Sequence, residues 1–140
     1  MKVLIADDDQ VTTRLLAATF IRNGWQALVV HDAMQTLMYA GRAPMPDVIL
    51  LDINMPGGTG YHALERLKAS SRTSHIPVIV ITGSTDPDAA IRAQRFGAAD
   101  FFRKAIEPRD ILGRAVELAT VAPSAAAVNA PVLSAVAGVR

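Results

Sequence analysis

Five short apolar blocks recur along the chain: Val3–Ala6, Ala27–Val30, Val48–Leu51, Val78–Ile81 and Ala98–Phe102. Three of them are unbroken stretches of β-branched residues and leucine, without the polar alternation of a sheet that is wet on one side. Blocks of this kind belong to strands covered on both faces, which means a parallel sheet with helices packed above and below it. Ala27–Val30, preceded by Trp25-Gln26, is more mixed and suits an edge strand.

The segments between the blocks read as helices with explicit starts and stops. The first is capped by Asp9 and runs to Asn23, where Gly24 ends it in the left-handed conformation. Gly41 and Gly97 are placed to close the second and fourth helices in the same way. The third covers about residues 57–71, with Tyr61, Leu64, Leu67 and Lys68 at three- and four-residue spacing; its apolar members would pack on the sheet. Asp86-Pro87-Asp88 predicts the start of the fourth: a capping carboxylate, a proline at the first helical position and a second acid in the first turn. Glu107-Pro108 opens the fifth similarly. Strand–helix alternation repeated five times implies right-handed crossovers and a doubly wound parallel α/β sheet. The flavodoxin-like strand order 2-1-3-4-5 puts the mixed second strand at an edge, as its composition suggests.

At 140 residues the chain has room for one domain with a full core. A net charge of +1 gives no electrostatic reason to expect nucleic acid as a partner. The absence of cysteine excludes disulfides and thiolate zinc sites. The apolar start Met1–Ala6 is cut off by Asp7-Asp8-Asp9, too early for a secretory signal, and no apolar stretch is long enough to span a bilayer, so a cytoplasmic protein without membrane contact is expected. Composition changes near Val121: the remainder is rich in alanine and valine, is broken by Pro123 and Pro131, and carries only Arg140 as a charged side chain. Residues 1–120 are therefore expected to form the domain, with 121–140 as a tail or linker. The histidines His31, His62 and His75 share no metal-ligand spacing, and Met34, Met38 and Met45 are expected to pack.

The polar residues that end the blocks fall in a pattern. Asp7-Asp8-Asp9 follows the first strand, Asp52 the third, Thr82 the fourth and Lys104 the fifth, so all lie on the carboxyl edge of the sheet. In the order 2-1-3-4-5 the first and third strands are neighbours at the switch point, which brings Asp7, Asp8 and Asp52 together. Two unit charges 4 Å apart repel by roughly 4 kcal/mol at an effective dielectric of about 20, so such a cluster needs a cation or a raised pKa. Oxygen donors without histidine or cysteine point to Mg²⁺, with Mn²⁺ an acceptable substitute. Lys104 adds a fixed positive charge and Thr82 a hydroxyl donor, the equipment for neutralising and positioning a phosphoryl group. That leaves one carboxylate free as a nucleophile, and Asp52, at the end of the central strand before Pro56-Gly57-Gly58, is the best placed.

The separated pieces LIADDD, ILLDINMPGGTG, VIVITG and FGAADFFRK, with their spacing, resemble the response-regulator receiver domain of two-component signalling over about residues 2–119. The resemblance implies that Asp52 is the phosphoacceptor. Asp8 and Asp52 would ligate the metal through their carboxylates, Asp7 directly or through water, and Asn54 through its backbone carbonyl. Thr82 and Lys104 would sense the phosphoryl group, and Phe101 would be the aromatic switch that turns inward when the threonine moves. Gly60 and Gly97-Ala98 would be tight-packing positions. A receiver of this kind takes its phosphoryl group from a histidine kinase or histidine phosphotransfer protein, docking on the first helix near Val11, Thr12 and Leu15, with Leu16 and Phe20 facing the core. It signals through the face made by the fourth helix, fifth strand and fifth helix, and its only catalysis is its own phosphorylation and slow dephosphorylation. Asn54 and Ser84 would flank the approach of the hydrolytic water.

One position departs from the family pattern. The proline that usually follows the lysine, commonly through a cis bond, is Ala105 here. A non-proline cis bond lies about 3 kcal/mol above trans, so either strain persists or the loop is trans and re-aimed. Two other functions compete. Asp7-Asp8-Asp9-Gln10-Val11 also spells D-x-D-x-V, which resembles haloacid-dehalogenase-type phosphatases with Asp7 as nucleophile and Asp9 as acid/base. That scheme gives Asp52 no role, and the chain lacks both a further acidic pair after Lys104 and a cap. The other competitor is a binding-only pseudo-receiver, against which the complete acid set argues.

Overall fold

The structure, a computed structural model, describes residues 1–55 and 60–121. Its elements alternate throughout: β1 (Lys2–Ala6), α1 (Gln10–Arg22), β2 (Gln26–Val30), α2 (Ala33–Ala40), β3 (Val48–Leu51), α3 (Gly60–Ala69), β4 (Val78–Thr82), α4 (Ala89–Arg95), β5 (Asp100–Arg103) and α5 (Pro108–Thr120). The sheet order is β2-β1-β3-β4-β5, every pairing is parallel, and the fold is the expected flavodoxin-like α/β. β3 and β4 are buried at every residue, whereas β2, at the edge, is fully buried only at Val30.

Alternation along the strands divides the core in two. Leu4, Ile49, Leu51, Val78, Val80 and Phe101 face Leu64 and Leu67 of α3 and Ala89 and Ala93 of α4. Val3, Ile5, Leu50, Ile79, Ile81 and Phe102 face Leu16 and Phe20 of α1 and Ile111, Ala115 and Leu118 of α5. Trp25 closes the second core edge-on to Phe20, with ring centroids 5.1 Å apart.

The punctuation of the helices is partly as expected. Asp9 caps α1 by accepting from the Val11 N–H at 3.0 Å, and Gly24 follows with φ +87°. Gly97 has φ +104° and lies against α3, where an added Cβ would come within 2.9 Å of Lys68 Cγ. Lys68 in turn donates to the carbonyls of Ser74 and Ile76 at 3.1 and 2.6 Å, and burial pulls its ammonium pKa down to about 8.

Gly41 departs from the expectation. Its φ of −90° is right-handed, so it is no left-handed cap, and its carbonyl accepts from Arg72 Nε instead. α4 also starts later than Asp86-Pro87 suggests. Asp86 Oδ1 accepts from the Asp88 N–H at 2.9 Å and its carbonyl from the Ala89 N–H at 3.2 Å, so Asp86 opens a tight turn ahead of the helix. The helix itself begins at Ala89 behind Asp88, a residue that makes no side-chain capping bond. β5 begins at Asp100 rather than Ala98, because the Ala98 N–H closes back on the Ala93 carbonyl. Met34 and Met38 are exposed, not packed, while Met45 lies against the core. The proposed start of the third helix at Gly57, the Pro56-Gly57-Gly58 loop and the 122–140 segment lie outside the described residues. No helix among the described residues is long and apolar enough to cross a membrane.

Candidate functional site

β1 and β3 end in step, with Ala6 paired to Leu51, so the residues that follow each strand emerge side by side. Asp7 and Asp52 are each only 3% exposed, and Asp8 turns outward. The three carboxylates offer oxygens that all lie within 4.8 Å of one another. Backbone donors fix two of them: the Asp9 N–H donates to Asp7 Oδ1 at 2.9 Å and the Asn54 N–H to Asp52 Oδ1 at 3.0 Å.

Lys104 reaches this cluster from β5, two strands away. Its Nζ lies 3.0 Å from Asp7 Oδ2, 3.1 Å from Asp52 Oδ2 and 3.9 Å from Asp9 Oδ2. The lysine therefore bridges the two buried carboxylates rather than standing across the site from them. Strand pairing continues through the Lys104 N–H, which donates to the Thr82 carbonyl at 2.8 Å, and the chain turns only at Ala105. Among the described residues the one cis peptide is Ala43–Pro44. Lys104–Ala105 is thus trans, and Ala105 makes the turn at φ +92°, a region that costs a side-chain-bearing residue on the order of 1–2 kcal/mol.

Thr82 is fully buried at the end of β4. Its hydroxyl oxygen accepts from the Ser84 N–H at 3.2 Å and from Asn54 Nδ2 at 3.4 Å, so Asn54 links Asp52 to Thr82. Phe101 is buried in the α3–α4 core at 1% exposure, already inward. Gly60 pins the loop after Asp52 from below: a Cβ there would lie 2.3 Å from Ile53 Cα and 2.6 Å from the Asp52 carbonyl oxygen.

The charges are incompletely balanced. Burial pushes the Asp7 carboxyl up to about 6; the Asp9 N–H and Lys104 oppose this, and the charge of Asp52 adds to it. Burial works against the Lys104 charge, but its bonds to Asp7 and Asp52 outweigh that and hold the ammonium above its ordinary range. Asp9, held down chiefly by the Thr12 hydroxyl, is occupied at the start of α1. Three hard oxygen donors, two buried and one open to solvent, with a carboxyl pushed toward protonation, form a donor set that fits a small divalent cation such as Mg²⁺.

Two neighbours of the site escaped the sequence reading. His31, at the end of β2, places Nδ1 3.2 Å from the Asp7 carbonyl oxygen; the same rim rule that found Asp7 could have found it. Arg103 donates through Nη1 to the Ser84 carbonyl and through Nη2 to the Asp86 carbonyl at 3.1 Å. No spacing in the sequence marks it.

Comparison with known proteins agrees with this geometry. PleD, a response regulator of Caulobacter vibrioides, is 35% identical over 106 residues, 76% of this chain and 23% of PleD. The two-component response regulator ORR6 of Oryza sativa is 33% identical, covering 79% of this chain and 66% of its own. The phosphate regulon regulator PhoB of Escherichia coli is 28% identical, covering 81% and 49%. The chain thus spans less than two thirds of each of these relatives. Among solved structures, the receiver domain of the Francisella response regulator 1452 superposes with a TM-score of 0.77 at 26% identity, covering 85% of this chain and 96% of that one. The chemotaxis regulator CheY4 of Vibrio cholerae gives 0.76 at 26%, covering 84% and 97%. The receiver domain of the Pseudomonas aeruginosa sensor kinase PA1611, solved with magnesium in its active-site cleft, gives 0.77 at 21%, covering 85% and 97%, and shares the fold. The response regulator receiver domain family matches residues 3–116, more than three quarters of the chain, and this chain belongs to it.

Proposed function

We propose that this receiver domain accepts a phosphoryl group on Asp52 from a phosphohistidine donor, and that the modified site alters a protein-binding surface. One observation carries the reading: Asp52, Asp7 and Asp8 converge at the switch point with the Lys104 ammonium bonded to two of them. In the transfer the donor's N–P bond breaks and an Asp52 O–P bond forms, the freed electron pair staying on the imidazole nitrogen, which is then protonated. Lys104 gives up part of its contact with Asp52 to hold a phosphoryl oxygen, and Thr82 turns its hydroxyl proton to another. Asn54 keeps Asp52 oriented through its N–H, and its carbonyl, with the carboxylates of Asp7, Asp8 and Asp52, would complete a ligand set for Mg²⁺. That cation, when bound, supplies charge neutralisation at the phosphoryl oxygens.

A donor helix would dock on α1, where Val11 and Leu15 are 68% and 57% exposed beside the acids. Next to them a cavity of about 150 Å³, lined by Leu15, Ile106, Pro108 and Ile111, opens beside Lys104 and suits an apolar side chain of the donor. Output would run from Thr82 to the face of α4, β5 and α5, which displays Ile91. The experiment is incubation with acetyl phosphate, with and without Mg²⁺, followed by intact mass. One phosphoryl group should be gained only with Mg²⁺, labile to acid and base, and not by Asp52→Asn. Equal labelling of Asp52→Asn would move the nucleophile elsewhere and overturn the proposal.

A further inference from the structure

Arg103 is the last residue of β5 and sits directly opposite Thr82 in the sheet register. By strand alternation it shares the face of Phe101, but it lies beyond the core, exposed. Its guanidinium does two things at once. The two terminal nitrogens donate to the carbonyls of Ser84 and Asp86, in the loop that joins β4 to α4. The guanidinium carbon lies 5.3 Å from the centre of the Phe101 ring, over its face.

The loop's other bonds are mostly local: the Asp86 carbonyl also accepts from the Ala89 N–H at 3.2 Å, and Asp86 Oδ1 from the Asp88 N–H at 2.9 Å. Ser84 donates its N–H to Thr82 Oγ1 and its own hydroxyl oxygen accepts from the Asp86 N–H at 3.2 Å; Asp86 also faces Arg92 at 3.5 Å, an exposed pair of the kind that contributes little. Those bonds tie the loop to itself, to Thr82 and to the start of α4, whereas Arg103 fastens the Ser84 carbonyl from the neighbouring strand. A planar fork is required to bridge two carbonyls while stacking on a ring, and lysine cannot do both.

We propose that Arg103 is a latch: it fastens the β4–α4 loop in the arrangement Thr82 needs to meet a phosphoryl group on Asp52, and it holds Phe101 inward, so that this receiver is pre-set before phosphorylation. The inference rests on Asp52 being the acceptor. It makes Arg103 a positioning residue that touches neither donor nor phosphoryl group. Without the fork the loop samples other arrangements, and a ligand that needs the ordered one binds with an apparent affinity reduced by the fraction still ordered.

The test compares the wild-type chain with Arg103→Lys and Arg103→Gln by NMR, using beryllofluoride with Mg²⁺ as the phosphoryl mimic. In the wild type, Phe101 ring resonances should be sharp and move little on binding. In both variants, the Ser84 and Asp86 amides and the Phe101 ring should broaden by exchange in the free protein and sharpen at saturation. Apparent beryllofluoride affinity should fall roughly three- to tenfold, while Val3 and Leu50, in the sheet, stay unmoved. Sharp, unmoved loop and ring resonances in the variants overturn the latch, even if affinity falls, since the loss would then arise elsewhere. Failure of the wild type to bind beryllofluoride is a different result: it removes Asp52 as acceptor and, with it, the latch's link to phosphorylation.

Discussion

The Lys104 ammonium lies 3.0 Å from Asp7 and 3.1 Å from Asp52, and so bridges two buried carboxylates that leave neighbouring strands. Lys104→Met leaves those acids facing each other without a compensating charge. Breaking a buried pair costs about 3–5 kcal/mol, and because Lys104 is partly solvated the expected loss is about 2 kcal/mol. Urea unfolding should show it in full at pH 8 and much reduced at pH 5, where Asp7 takes up a proton.

Asp7 itself should titrate near pH 6, followed by its carboxyl ¹³C resonance, with Mg²⁺ absent. A folded pKa of about 6 above an ordinary 3.8 means the native state binds the proton more tightly than the unfolded chain does. Its stabilising contribution is therefore complete below about pH 4, declines between pH 4 and 6, and is gone above pH 6. Saturating Mg²⁺ should pull the titration below this window and raise stability at neutral pH. An Asp7 midpoint that ignores Mg²⁺ would contradict the proposed metal site.

Gly60→Ala tests the floor beneath Asp52. A Cβ placed 2.3 Å from Ile53 Cα meets backbone, not a movable side chain, so something must shift. The expected cost is about 3 kcal/mol, read as a lowered thermal midpoint, together with weakened beryllofluoride binding because the displaced atoms belong to the Asp52 loop.

Ala105 offers a substitution in the opposite direction. At φ +92° its Cβ is the source of the strain, so Ala105→Gly should gain up to about 1 kcal/mol in denaturant unfolding and leave acetyl phosphate labelling intact. Ala105→Pro cannot keep that φ. The loop would be rebuilt, and labelling through Lys104 should change while β5 stays in place.

Asp100 and Arg114 form a second ion pair, at the far end of β5 from Lys104: Nε to Oδ2 is 2.7 Å and both residues are buried. Arg114 Nη2 is buried without a partner. Arg114→Met strands the carboxylate and should destabilise by about 3–5 kcal/mol, whereas Asp100→Leu with Arg114→Met should recover most of the loss. Both proteins should label on Asp52 at wild-type levels under folding conditions.

The sheet, its order and the meeting of Asp7, Asp8 and Asp52 were legible in the letters, because burial on both faces leaves an unbroken apolar block and parallel strands all end at one rim. β2 announced its edge position by its mixture, and Gly24 and Gly97 announced the left-handed turns they make. Gly41 and Asp86 were misleading, since a glycine also fits a right-handed turn and the bonds Asp86 makes to Asp88 and Ala89 close a tight turn ahead of the helix. The placement of Lys104 on two carboxylates, one of them 97 positions away, the hold of Arg103 on Ser84 and Asp86, and the trans turn at Ala105 required the closed sheet. Backbone patterns report a residue's own exposure, whereas the partner found by a long charged side chain depends on which strands pack beside it and where their loops turn.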